Sequence, residues 1–338
     1  MACEGAGKSS QRPHGFPPAA HRLLDLVVNL RWAKQVVHYS CQQHGTNANL
    51  HLTTSTHTSK GSIVPGELLN TFRDQSGRIT VGVFRRVSAP AQHHHDVGAD
   101  VPDGWVVVGG GAVATDRGNG ALLTASYPNS ELTAWLASSK DHNAPESHIL
   151  TCFALGMRIE GMTATDLRGA IHIETGDSGW APHPEATAKT PDGFILLGGG
   201  AKVEWEPGPG NLLTGSFPST DRSWTVRSKD HLVSSPANIR SWAIGLRRNL
   251  PVGTVVGSIR REDSGVSAHP SVAADVSDGF ALSGGGANIN WHGGGNLLWR
   301  LEPTTDTTNQ EFRASGKDHI VSDPASITAF SMGVRLHP

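Results

Sequence analysis

The chain has 338 residues, with 28 Lys and Arg against 30 Asp and Glu and a net charge of −2. That balance excludes a polyanion-binding surface spread over the whole molecule, and no nucleic-acid signal is present. Forty glycines and twenty prolines follow no Gly-x-y period and build no long Gly/Ser tract, which excludes collagen-like and low-complexity chains.

Residues 1–20 are polar and rich in Gly, Pro and Ser, the composition of a disordered tail. Residues 21–43 predict a helix, with Leu23, Leu26, Val27, Leu30 and Val37 on a partial apolar face. Asp25 interrupts this stretch and no small-x-small cleavage site follows, so no signal peptide is expected. Cytoplasmic residence and non-classical secretion both fit. No run of eighteen apolar residues occurs, so no transmembrane segment is expected. Cys3, Cys41 and Cys152 form no Cys-x-x-Cys knuckle and no disulfide framework. Residues 1–78 thus read as an N-terminal appendage.

From residue 79 the chain repeats itself. GWVVVGGGAVATDRGNGALLTASYP begins at Gly104, GFILLGGGAKVEWEPGPGNLLTGSFP at Gly193 and GFALSGGGANINWHGGGNLLWRLEP at Gly279. A Lys-Asp-His follows each copy at Lys140, Lys229 and Lys317, spaced by 89 and 88 residues. A run ending in Gly-x-Arg comes next. Three units result, approximately 79–158, 159–247 and 248–338.

Four strands are predicted in each unit. In the second they are GFILLGGGAKVEW, NLLTGSF, SWTVRS and IRSWAIGLR, all bounded by turn residues. ITVGVFRR from Ile79 is a further copy of the last strand, ahead of the first unit. Placed at the start, it would close a sheet completed by distant sequence and remove an exposed edge. The expected fold is all-β: a pseudo-threefold β-prism-like domain of three four-stranded repeats. In repeat number and strands per repeat, residues 79–338 resemble three-sheet prism proteins, including the egg vitelline membrane outer-layer type. That resemblance implies a carbohydrate-related role.

The repeated residues supply the candidate chemistry. The triplets at Gly109, Gly198 and Gly284 lie in apolar strand sequence without a downstream Gly-Lys-Ser/Thr, which points to close backbone approach and not to a nucleotide. Asp141, Asp230 and Asp318, each beside His142, His231 or His319, fit Asp-centred turns and also fit contacts to a polar ligand. His94, His183 and His269 recur ten residues before the glycine that opens each body. No spacing specifies a zinc site, and no cofactor is implied.

Trp135 and Trp224 precede two of the Lys-Asp-His motifs and Phe312 approaches the third. Trp205 and Trp291 follow two glycine triplets, where the first copy has Thr115. An aromatic platform beside directional polar groups suits a sugar, although inward tryptophans also fill β cores.

The leading expectation is a binding protein for a carbohydrate or other polar polymer through repeated surface loops. Its candidate contacts are His94, Trp135, Asp141, His142, His183, Trp224, Asp230, His231, His269, Asp318 and His319. One alternative is a carbohydrate-active hydrolase or lyase using one diversified repeat, with Asp141, Asp230, Glu204 or Glu206 supplying carboxylate chemistry. Another is a non-catalytic scaffold. Enzymatic status, ligand identity and oligomeric state stay open at this level.

Overall fold

The computed structural model describes residues 26–30, 33–37 and 65–337, apart from 92, 116–119, 207 and 307–308. The protein is nearly all β, with 62% of its residues in strands and 3% helical. It divides into two units, Met1–Ser62 and Ile63–Pro338.

In the first unit, β1 (Leu26–Leu30) and β2 (Ala33–Val37) pair antiparallel. They replace the helix expected over 21–43. The reason is local: LVVNL and AKQVV carry adjacent valines, whose branched side chains favour strands. The predicted tail, residues 1–20, lies outside the described residues.

The second unit runs β3 (Glu67–Arg73), β4 (Ile79–Val87), β5 (His94–Asp100), β6 (Val106–Ala114), β7 (Leu122–Pro128), β8 (Ala134–Lys140) and β9 (Leu150–Ile159). A short helix, α1 (Ala164–Ala170), is opened by a capping box between Thr163 and Asp166. There follow β10 (Ile171–Asp177), β11 (Glu185–Lys189), β12 (Phe194–Trp205), β13 (Leu212–Pro218), β14 (Ser223–Lys229) and β15 (Ala237–Arg247). The last stretch holds β16 (Asn249–Leu250), β17 (Gly253–Asp263), β18 (Ser271–Asp275), β19 (Ala281–Asn290), β20 (Leu297–Pro303), β21 (Glu311–Lys317) and β22 (Ser326–His337).

Three sheets result, in the orders β10-β15-β12-β7-β8-β5, β11-β14-β13-β19-β22-β17-β16 and β18-β21-β20-β6-β9-β4-β3. In each, strands from one part of the sequence join strands from another. β12 meets β7, β13 meets β19, and β20 meets β6. β4, the early ITVGVFRR strand, pairs with β9 along its whole length. The four-strand expectation was too low: β10 and β11, with β4 and β5 or β17 and β18 as counterparts, bring the number to six.

The glycine triplets explain how the sheets approach. Register shifts just before Gly109, Gly198 and Gly284, the signature of a bulge. A Cβ on Gly198 would fall 2.7 Å from the Val108 carbonyl and 3.3 Å from Gly109 Cα. On Gly284 it would meet Gly198 Cα at 3.0 Å, and on Gly109 it would meet Gly284 Cα at 3.0 Å. The three first glycines therefore touch one another in a closed ring, with no room for a side chain. The second glycines seat large aromatic rings, Trp135 on Gly110, Trp224 on Gly199 and Phe312 on Gly285. These three rings are at most 1% exposed.

Candidate functional site

The Lys-Asp-His motifs sit where β8, β14 and β21 end, and each side chain has a separate task. Lys140 donates to the Pro209 carbonyl, Lys229 to Gly293 (3.0 Å) and Lys317 to Gly120 (2.5 Å). Each amine thus satisfies a loop far away in the sequence. Burial pushes the Lys140 and Lys229 ammonium groups down to about 8, against the opposing attraction of nearby aspartates.

The aspartates tie the turns that follow. Asp141 Oδ2 accepts from the backbone N–H of Glu146 (3.0 Å), Asp230 Oδ2 from Ser235 (3.2 Å) and Asp318 Oδ2 from Asp323 (3.0 Å). These bonds permit the left-handed residue after each histidine: Asn143, Leu232 and Ile320 have φ of 56°, 63° and 63°. For a branched Ile320 that conformation is strained.

The histidines converge. Ring centroids of His142, His231 and His319 lie 5.3, 5.8 and 4.9 Å apart. His142 Nε2 donates to the His231 carbonyl (2.9 Å), and His319 Nε2 to the His142 carbonyl (2.5 Å). The third link is looser: His231 lies close enough to the His319 backbone to be raised by it, yet its Nε2 makes no hydrogen bond. Burial dominates and holds both His142 and His231 below the ordinary histidine value. His142 Nδ1 also faces a carbonyl, that of Pro209 (3.0 Å), and His231 Nδ1 that of Gly294 (2.6 Å). A neutral imidazole has one N–H, so His142 donates to only one of the two carbonyls, while Lys140 also donates to that of Pro209 and Asn143 to that of His231 (3.3 Å). The ring nitrogens thus serve the backbone, and no group of three or more His, Cys, Asp or Glu among the described residues is placed to hold a metal.

Beside this buried trio lies an open cleft. A cavity of about 270 Å³ is lined by His93, His94, Lys140, Asp141, Trp205 and Pro209, among others. Trp205 is half-buried. Lys140 Nζ lies 5.0 Å from the centre of its ring, and His94 meets it edge-on at 6.2 Å. His93 Nδ1 stands 3.4 Å from Asp141 Oδ2. Nearly the same group recurs further along the chain: Lys229 Nζ is 4.0 Å from the Trp291 ring, His183 meets that ring edge-on at 5.3 Å, and His183 Nε2 is 3.2 Å from Asp230 Oδ1. In the first copy the residue matching Trp205 and Trp291 is Asp116 and not its neighbour Thr115, and Asp116 lies outside the described residues.

The predicted contacts therefore separate into three groups. His94 and His183 are exposed; His94 lines the cleft with Asp141, and His183 sits beside Trp291 and Asp230. His269 is exposed, but its corner lacks the indole. Trp135 and Trp224 are sealed in the core, their Nε1 atoms bonded to Ser126 (2.8 Å) and Ser216 (3.0 Å). They cannot present a face to a ligand, because a glycine opposite each ring draws it inward. His142, His231 and His319 are at most 2% exposed, and Asp318 is engaged by Asn296 (3.1 Å) as well as its turn. Trp205, Trp291 and His93 lay outside the expected contact set. The tryptophans had a visible signal, recurrence after the triplets, but each belongs to a cleft with a lysine some sixty-odd residues earlier (Lys140 with Trp205, Lys229 with Trp291).

Cys152 is buried, and burial pushes its thiol up to about 12, so it is inert. No helix of the described residues is long and apolar enough to cross a membrane. No family model matches the chain, and no curated protein matches it.

Proposed function

We propose that residues 79–338 form a pseudo-threefold β-prism-like body that binds a carbohydrate or another polar polymer, without turnover, through the clefts at its loop end. One observation carries this reading: a half-buried indole, an imidazole, an ammonium group and a carboxylate are gathered twice, at Trp205 and at Trp291, by loops distant in sequence. An exposed indole face supports the apolar side of a sugar ring, while His and Asp supply directional bonds to hydroxyls. The ring of first glycines and the cyclic sheet order support the prism reading. Two clefts on one rigid body would give a polymer two points of attachment, which raises apparent affinity when a single chain spans both.

The third corner refines the proposal. With Asp116 in the sequence position of the indole, it offers no aromatic platform, so the expected stoichiometry is two sites per chain. A glycan array followed by titration tests this. Saturable binding without product, lost in Trp205→Ala with Trp291→Ala while the circular dichroism spectrum stays unchanged, is the expected result. Release of new reducing or unsaturated ends would overturn it, as would binding that survives both substitutions.

A further inference from the structure

β4, β10 and β17 hold corresponding places. Each lies next to a strand ending in Gly-x-Arg: β9, β15 or β22. Their outer edges are treated differently. β3 pairs with β4 from Glu67 to Arg73. β10 is the outer strand of its sheet and has no strand beyond it among the described residues. On β17 only the two-residue β16 pairs, opposite Gly253 and Thr254. From Val255 to Asp263 the outer edge has no strand partner among the described residues.

That edge is ready to pair. The Val255 N–H donates outward to the Arg248 carbonyl (2.8 Å). Antiparallel alternation then turns the backbone groups of Gly257, Ile259 and Arg261 to the same side. Burial records the missing neighbour. Val83, opposite Leu155 and also paired with Asn70 of β3, is 0% exposed; Ile259, at the matching place opposite Met332, is 37% exposed.

A cavity of about 580 Å³ lies alongside, lined by Phe194, Ile195, Leu196, Arg222, Val256 and Ile259, among others. It is built from the start of β12 and the β13–β14 connection. In the third sheet β3 and the residues after it reach the counterparts of both. Asn70 donates to the Asp306 carbonyl on the β20–β21 connection (2.8 Å), and the Gln75 N–H donates to Gly279 ahead of β19 (2.9 Å). Charge adds a preference. Arg85 pairs with Glu67 of β3 at 2.6 Å. Its counterpart Arg261 makes no ion pair among the described residues, nor do Arg248 and Arg260.

We propose that the outer edge of β17 and the adjoining cavity dock an extended, acidic peptide segment of another protein, antiparallel to β17, as β3 docks on β4. Backbone bonds would supply affinity and the cavity would select apolar side chains. This site is separate from the clefts at Trp205 and Trp291 and stands or falls without them.

The test is fluorescence anisotropy of a labelled GELLNTF peptide, the sequence Gly66–Phe72, added to the full chain. A scrambled peptide serves as reference. Saturable binding at least about tenfold tighter than the scrambled peptide, weakened about tenfold by Ile259→Pro and by Arg261→Glu, is expected. Arg261 is exposed, so its charge reversal keeps the test valid where the proline variant does not fold. Absent or equal binding of the two peptides overturns the proposal. A concentration-dependent dimer abolished by the same variants, with no peptide binding, also overturns it, in favour of a second copy.

Discussion

Two pairs of tryptophans in this molecule have opposite fates. Trp135 and Trp224 lie at most 1% exposed over glycines, whereas Trp205 and Trp291 are half-buried beside lysines and histidines at the loop ends. Residue type and recurrence are the same in both pairs. What differs is the partner. A missing Cβ on Gly110 or Gly199 opens a socket that an indole fills, so repetition there records a folding solution. At the loop ends Trp205 and Trp291 pack partly against the core and partly beside charged and polar groups, which leaves them half-buried. Recurrence in sequence identifies importance; the neighbour decides its kind.

The largest effect should separate the two pairs outright. Trp224→Ala removes a fully buried indole and leaves a cavity, which costs about 3–5 kcal/mol in urea unfolding. Equal losses for Trp224→Ala and Trp205→Ala would break the contrast.

Lys229→Met sharpens it from the other side. The Gly293 carbonyl loses its 3.0 Å donor, a cost of about 1 kcal/mol because Gly293 is exposed and water can take the donor's place. The same variant removes the cation from the Trp291 ring, so it should weaken binding as well as stability. A change in binding alone would mean that the lysine is no staple.

Acid should act on the buried histidines first. Burial holds His142 and His231 below the ordinary value of 6.5. The folded state then binds fewer protons than the unfolded state near that pH. Their neutral forms are therefore favoured by folding, and the stability they confer is present above about pH 6.5 and lost as pH falls below it. Denaturant midpoints between pH 7.5 and 5 read this out. A flatter profile in His142→Gln is expected; an unchanged profile would remove the trio from the account.

Trp205→Ala should have the smallest effect on folding, about 1 kcal/mol from the lost cation–π contact and partial burial.

Much of the architecture could be read from the chain. The triplets lie within strands and mark bulges, and the early Ile79 strand joins a sheet with the distant β18, β20 and β21, although as the counterpart of β10 and β17 and not as a copy of β9. β11 escaped because EATAK is short and alternates alanine with polar residues, too weak an apolar signal. The hairpin at β1 and β2 was mistaken for a helix, since a partial apolar face over two short valine-rich runs fits either period. The aspartates were legible as turn formers, because the backbone donor lies five residues on. The clefts were not. Lys140 and Trp205 belong to different copies of the repeated sequence, so comparing positions within one copy could not bring them together.

The most direct measurement is calorimetric titration of the folded chain with a bound oligosaccharide, repeated in Trp205→Ala. Two sites per chain falling to one, with the unfolding midpoint nearly unchanged, is the predicted result. Three equivalent sites, or a stoichiometry indifferent to Trp205, would contradict the assignment of recognition to the tryptophan-bearing clefts.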